Sequence, residues 1–508
     1  MNMPLRLDID TSAQMPAPAA RQAVALPVFA DEPRLSVGVR DEAATWWQTC
    51  ERLLSAGEFK GEAGESVFLY AGAASGEAIG ADGVRRVLLV GLGAREDFDL
   101  AALGRAAGMA VRQAREKGVR HLYFNLPEAH GLTRAGMART VAEGAVMGLY
   151  DGDFYQNHDE APPVLERLSI VVSDEDDELK RAIERGRIVG EAVNWTRSLS
   201  DEPGASLPPR EFARRAAEMA GEFGLMVESL NAEEIRARGM GGLVGVGQGS
   251  DEEPALIVVR YEPEGASDDE ELWAFVGKGI TFDTGGISLK KPPHMEEMKS
   301  DMAGGAAALG ALRAIAQLKP QRRIVAVVPS AENMPSGRAV KPGDIVRTLA
   351  GFTIEVVDTD AEGRLVLVDG IAYARTLGAT RIVDLATLTG SIIIALGTHR
   401  TGLFSNNDEW AARVREAAER AGEPVWRMPV SDDYKKPIES LIADFKNYGG
   451  RPDATAAALL LSKFAADTPW VHLDIAGTAW HDEPQPHAPK GTTGTGVRTL
   501  VELVCEGK

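Results

Sequence analysis

Short β-rich runs alternate with helix-like segments along most of this 508-residue chain, and that alternation admits few architectures. Val67 to Ala71 and Arg86 to Val90 read as strands, Ala101 to Glu116 and Thr140 to Leu149 as helices. Such elements bury their apolar faces by stacking in layers, so the expected class is α/β. The length exceeds what one hydrophobic core usually serves, and the pattern has an interruption. An acidic, proline-containing stretch from Asp151 to Pro163 precedes strand-like Leu168 to Ser173, and the acids from Asp174 to Glu178 then open a long helix, about Asp177 to Leu199. Negative charge there complements the helix dipole. Pro203, Gly204, Pro208 and Pro209 break the pattern before a second series, Leu225 to Leu230, Ala255 to Arg260 and Leu272 to Val276. We expect a smaller N-terminal α/β domain over residues 1–176, a connecting helix over 177–199, and a larger C-terminal α/β domain with a central mixed sheet over 200–508.

Composition removes several classes of function. No apolar segment is long enough to span a bilayer, and the first thirty residues carry Asp8 and Asp10 in place of the apolar core of a secretory signal. Only two cysteines, Cys50 and Cys505, occur near opposite ends, which fits a reducing compartment, and we read the chain as cytoplasmic. A net charge of −20 opposes general attraction to nucleic acid. The basic stretch Arg105, Arg112, Arg115, Lys117 and Arg120 reads as a solvated helix face. No solenoid or propeller period is present. Gly245 to Ser250 and Val90 to Asp97 lack the full dinucleotide-binding fingerprint and read as turns, and neither HExxH nor G-x-S-x-G occurs.

Chemistry concentrates in three segments. Phe275 to Lys290 places Lys278 directly after an apolar strand, then Asp283, Gly285-Gly286 and Lys290. Strand ends and glycine turns are where α/β folds put active sites. Asp301 stands at the mouth of an alanine- and glycine-rich helix, where on its own it reads as a cap. Ile354 to Gly370 carries Asp358, Asp360, Glu362 and Arg364 after a β-branched run. On a strand all four would share a face, and their mutual repulsion between apolar flanks favours neutralisation by metal cations over a solvated edge.

DTDAEGRL, Asp358 to Leu365, closely resembles the NTDAEGRL signature of the leucyl aminopeptidases, and VGKGITFDTGGISLK resembles that family's upstream metal segment. The resemblance continues, in the family's order, through Ala331 to Ile345, Asp384 to Gly390, Asn447 to Phe464 and His472 to Trp480. It implies that Asp283 and Glu362 bridge two divalent cations, that Asp360 completes one metal site, and that Lys278 and Asp301 complete the other. It further implies that Lys290 contacts the substrate carbonyl, that Arg364 holds a bicarbonate acting as general base, and that Met298, Thr387, Leu388 and Gly390 line the pocket for a bulky apolar first residue.

The activity so implied is a two-metal aminopeptidase that releases N-terminal residues, leucine foremost, from peptides, with cations roughly 3.5 to 4 Å apart polarising the carbonyl and acidifying a shared water. Two divalent cations balance the four carboxylates, and their charge disfavours the ammonium form of Lys278. Oxygen-rich ligation with one amine suits manganese or zinc, with cobalt or magnesium as alternatives. Asp358, where the family commonly has asparagine, adds a negative charge that could alter metal preference. The family pattern also implies a homohexamer, a dimer of trimers. The competing reading from another class is a DNA-binding or scaffolding oligomer, which the acidic balance opposes.

Overall fold

The computed structural model describes residues 7–14, 16, 19–32, 35, 45–71, 85–157, 163–267 and 269–505, so parts of the N-terminal thirty residues and of the 151–163 stretch lie outside the described residues. The chain divides into two compact units, Met1–Asn194 with Asp482–Lys490, and Trp195–His481 with Gly491–Lys508.

The first unit is built on a six-stranded sheet in the order Asp8–Ser12, Arg167–Val171, His121–Asn125, Gln22–Val28, Arg85–Gly91, Ser66–Ala71. Its pairings are parallel except the last, which is antiparallel. Helices Leu100–Glu116 and Arg134–Gly148 contribute Leu103, Met109, Val111, Val141 and Ala145 to the core over this sheet. The basic stretch is not a freely solvated face. Arg112 donates to the carbonyls of Gly148 and Tyr150 at 3.1 and 3.0 Å, and both Arg112 and Arg115 pair with Asp151. The last carbonyls of a helix have no partners within it, and these guanidiniums supply the donors. The helix Asp177–Ser200 begins with the expected acids, and Asp176 accepts a capping bond from the Leu179 N–H at 2.7 Å.

The second unit holds a nine-stranded mixed sheet. Its path runs Val425–Arg427, Thr401–Ser405, Trp470–Asp474, Ala379–Ala386, Leu272–Gly277, Arg323–Asn333, Ala255–Tyr261, Met226–Leu230, with Gly279–Asp283 added beside Arg323–Asn333. Every residue of Leu272–Gly277 is buried, as expected where both sheet faces are covered. The four central strands, from Trp470–Asp474 to Arg323–Asn333, run parallel, so their carboxyl ends gather on one edge. At that edge the chain breaks at Lys278. The Lys278 N–H still bonds the Leu385 carbonyl at 3.0 Å, but Gly279–Asp283 then pairs only with the far half of Arg323–Asn333. The divergence opens a crevice between strands that would otherwise be neighbours, the place where open α/β sheets bind ligands.

The helix Ala303–Leu318 starts over this break. A side chain at Gly304 would lie 2.1 Å from the Leu385 carbonyl oxygen, so only glycine lets the helix reach the sheet. Gly245 to Ser250 is not simply a turn, because Gly241–Gly247 is helical and Leu243 and Val246 pack into the core. The larger correction concerns 358–364, which is not a strand. Extended structure ends at Glu355, residues 359–360 turn, and Glu362 opens the helix Glu362–Thr376. Nearly all of that helix is buried, so its apolar residues show no one-sided 3.6 period, and the Leu-Val-Leu-Val run imitates a strand.

Candidate metal centre

Six of the charged residues singled out in the sequence meet in this crevice. Lys278 Nζ lies 2.8 Å from Asp301 Oδ1 and 2.7 Å from Glu362 Oε1, and donates to the Thr387 carbonyl at 3.0 Å. Lys290 Nζ lies 2.7 Å from Asp283 Oδ2 and 2.5 Å from Asp360 Oδ1. Asp283, Asp301 and Glu362 are all buried, and each offers an oxygen within 4.8 Å of the others. Asp301 is not a cap. The helix after it has no side-chain cap, while its carboxylate takes bonds from Lys278 and from Thr387 Oγ1, the latter at 2.7 Å. Gly363 makes room for Lys278, since a side chain there would come within 2.7 Å of its Cε.

Charge in the crevice does not balance. Four carboxylates face two ammoniums, a formal charge of −2, with Lys278, Asp283, Asp301 and Glu362 buried and Lys290 and Asp360 at the open side. Burial penalises the ammonium forms of both lysines, yet the surrounding carboxylates, Asp301 foremost at Lys278 and Asp283 at Lys290, outweigh it and hold both well above the ordinary range. Burial also raises Asp301, Asp360 and Glu362, with Asp283 adding like-charge repulsion to each. Asp301 Oδ2 and Glu362 Oε2 are buried and, among the described residues, have no hydrogen-bond partner. A buried carboxylate oxygen without a donor is costly unless a cation takes its lone pairs. The donor set, carboxylates plus one amine, fits divalent metal ions.

Arg364 is 2% exposed and stands apart from the six. It donates to the Asn447 carbonyl at 2.8 Å and to Asp453 at 3.0 Å, and its Nε is buried without a partner among the described residues. Of the pocket candidates, Thr387 touches the cluster directly, through its hydroxyl to Asp301 and its carbonyl to Lys278. Leu388 is half-buried and its N–H goes to Asp474 at 3.2 Å, Met298 lies half-buried in the 3-10 turn before Asp301, and Gly390 opens the helix Gly390–Leu396 at the surface. Asp358 turns its carboxylate onto the Asp360 N–H at 2.9 Å, a bond that asparagine would also make.

Sequence reasoning missed the neutral residues that hold these groups. Asn333 donates to Asp283 Oδ1 at 2.8 Å and to the Thr359 carbonyl at 3.0 Å, and Thr359 bonds the Gly285 carbonyl at 2.6 Å. Both asparagines, 333 and 447, lie inside segments that carry the family resemblance, which was the available signal. A second group, His294, Glu296 and Glu297, also has ligand spacing but is largely exposed.

Comparison with known proteins gives the family. The model of the cytosol aminopeptidase family's catalytic domain matches residues 194–501, and that of its N-terminal domain matches 29–158. A "Probable cytosol aminopeptidase" of Acidobacterium capsulatum is 44% identical over 475 residues, covering 93% of this chain and 92% of that one. One from Solibacter usitatus is 47% identical over 461 residues, covering 90% and 93%. Among solved structures, the bottromycin maturation enzyme BotP in complex with Mn superposes with a TM-score of 0.82 at 35% identity, covering 96% of this chain and 99% of that one. A mutant of tomato leucine aminopeptidase gives 0.85 at 31% identity, covering 99% and 97%. The chain belongs to the cytosol aminopeptidase family and is a metallo-aminopeptidase, a hydrolase that removes amino acids from peptide N-termini.

Proposed function

We propose that the chain uses two divalent cations, manganese or zinc first, to release leucine or other bulky apolar residues from peptide N-termini. The observation that carries this reading is the buried cluster with its negative surplus and its two donorless oxygens, on Asp301 and Glu362. Asp283 and Glu362 are suited to bridge the cations, Asp360 to complete one site, and Asp301 with the Lys278 amine to complete the other. When bound, the cations supply Lewis-acid polarisation of the scissile carbonyl and an acidified water, and bicarbonate supplies a base. Lys290, less buried than Lys278, would present its ammonium to the carbonyl oxygen as that oxygen gains charge. Arg364 is suited to hold bicarbonate, because its buried Nε still lacks a partner among the described residues. Met298, Thr387, Leu388 and Gly390 would frame the first side chain. Residues 200–508 form the peptidase domain in this reading, apart from Asp482–Lys490, which belongs to the first unit, with the 177–199 helix linking it in sequence to the 1–176 domain. A cytoplasmic location fits two buried cysteines that form no disulfide among the described residues. The exposed Ile394, Trp426, Leu441 and Ile442 suit assembly into a homohexamer.

Leucyl-amide hydrolysis, followed before and after chelation and on adding back manganese, zinc or cobalt, tests the reading. Chelation should abolish turnover and one of these metals restore it, and Asp360→Ala and Glu362→Ala should each lose nearly all turnover. Activity near wild type in either variant, or activity indifferent to chelation, would refute it.

A further inference from the structure

We infer that Asn447 is a positioning residue for the metal centre, a role that rests on the two-metal reading above. Asn447 is fully buried and directly follows the strand Phe445–Lys446. Its backbone N–H extends that strand's pairing to the Glu355 carbonyl at 3.0 Å. From there its side-chain amide reaches the turn that carries the ligands. Oδ1 accepts the N–H groups of Val357 at 2.8 Å and Asp358 at 3.3 Å, while Nδ2 donates to the carbonyls of Asp358 at 2.6 Å and Ala361 at 3.3 Å. An amide side chain offers two donors and one acceptor oxygen, and all are used.

Those four bonds hold the backbone on both sides of Asp360 and directly before Glu362. The Asn447 carbonyl meanwhile accepts Arg364 Nη1 at 2.8 Å. One residue therefore ties together the backbone that carries two carboxylates and one guanidinium, in a turn and in the first turn of a helix. No charged group could replace it. An aspartate would turn an oxygen toward the Asp358 and Ala361 carbonyls, and a lysine or arginine would have no acceptor for Val357 and Asp358. Groups that orient metal ligands without touching the metal typically govern affinity by about 10–100-fold.

Asn406 supplies a control of the same chemistry. Its amide clamps the carbonyls of Ala466 and Thr468 at 3.0 Å each and accepts the Trp470 N–H at 2.9 Å, in a turn that carries none of the six cluster residues. We would prepare metal-free wild type, Asn447→Ala, Asn447→Ser and Asn406→Ala, and measure manganese binding by calorimetry, metal-free melting, and kcat and KM for leucyl amide. Both asparagine clamps should lower the melting temperature when cut. Only the Asn447 variants should weaken manganese binding, by about tenfold or more, and lower kcat with KM held within about threefold. Asn447→Ser, which keeps one hydroxyl to donate or accept, should fall between alanine and wild type, and it carries the test if the alanine variant does not fold. Asn447 variants that bind manganese as wild type does, with kcat no lower than in Asn406→Ala, would overturn the assignment. A wild-type protein that binds no manganese, zinc or cobalt would overturn the two-metal reading instead.

Discussion

Asp384 and Glu362 are both fully buried carboxylates in the larger unit, and they differ in how many donors surround them. Asp384 has both oxygens occupied, by His472 Nδ1 at 2.6 Å and Trp470 Nε1 at 2.5 Å. Asp474, at the end of the neighbouring strand, accepts the N–H groups of Leu388 and Ala476 and the Thr389 hydroxyl. Glu362 has Lys278 on one oxygen and, among the described residues, nothing on the other. The fold thus fills both oxygens of Asp384 and leaves one oxygen each on Asp301 and Glu362 without a donor among the described residues. An unsatisfied buried oxygen is costly, and a cation bound beside Glu362 would offset that cost.

Asp384 holds its two donors tightly enough for their loss to be measured. Burial disfavours the His472 imidazolium, but Asp384 beside it outweighs that and holds the ring above its ordinary range. Asp384→Ala would leave His472 Nδ1 and Trp470 Nε1 without their partner. Removing one member of a buried pair costs about 3–5 kcal/mol. Denaturant unfolding of the metal-free protein should show that loss, with manganese stoichiometry unchanged in the folded variant. A loss below about 1 kcal/mol, or a lost metal, would show that the two kinds of carboxylate are not distinct.

Asp369 sharpens the contrast by a smaller amount. It sits on the same helix as Glu362 and accepts the N–H groups of Leu243 at 3.0 Å and Leu349 at 2.8 Å. Burial nevertheless pushes its carboxyl up to about 7, against backbone bonds that favour the charge. The folded state therefore holds a proton that the unfolded chain releases near pH 4. Between those two values the native state binds more protons, so this group's contribution to stability falls as pH rises and levels off above about 7. Wild type compared with Asp369→Asn over pH 4.5 to 7.5 should lose relative stability with rising pH, by at most about 1.4 kcal/mol per unit. A difference that is flat, or that grows with pH, would contradict the assignment.

How far the site could be read in advance depended on what each residue carries. Lys278, Asp283, Lys290, Asp301, Asp360 and Glu362 were legible because charge amid apolar strands is conspicuous, and the structure brings all six together. The α/β layering was equally legible, down to the helix that opens at Asp177. The conformation around Glu362 was not, because a helix enclosed on all sides shows no amphipathic period. Asn333 and Asn447 escaped notice for another reason. They bear no charge, and the bonds that matter join residues up to 90 positions apart. The inward turn of Arg112 and Arg115 was hidden likewise, since Asp151 is remote from them in sequence.

The number of metal ions that these carboxylates hold can be counted. Equilibrium dialysis of the metal-free protein against manganese, with wild type and Glu362→Gln side by side, would measure how many ions the carboxylates hold. We expect two ions per chain in wild type and a loss of both at the same free concentration in Glu362→Gln. A wild type that binds none, or a variant that still binds two as tightly, would contradict the two-metal reading.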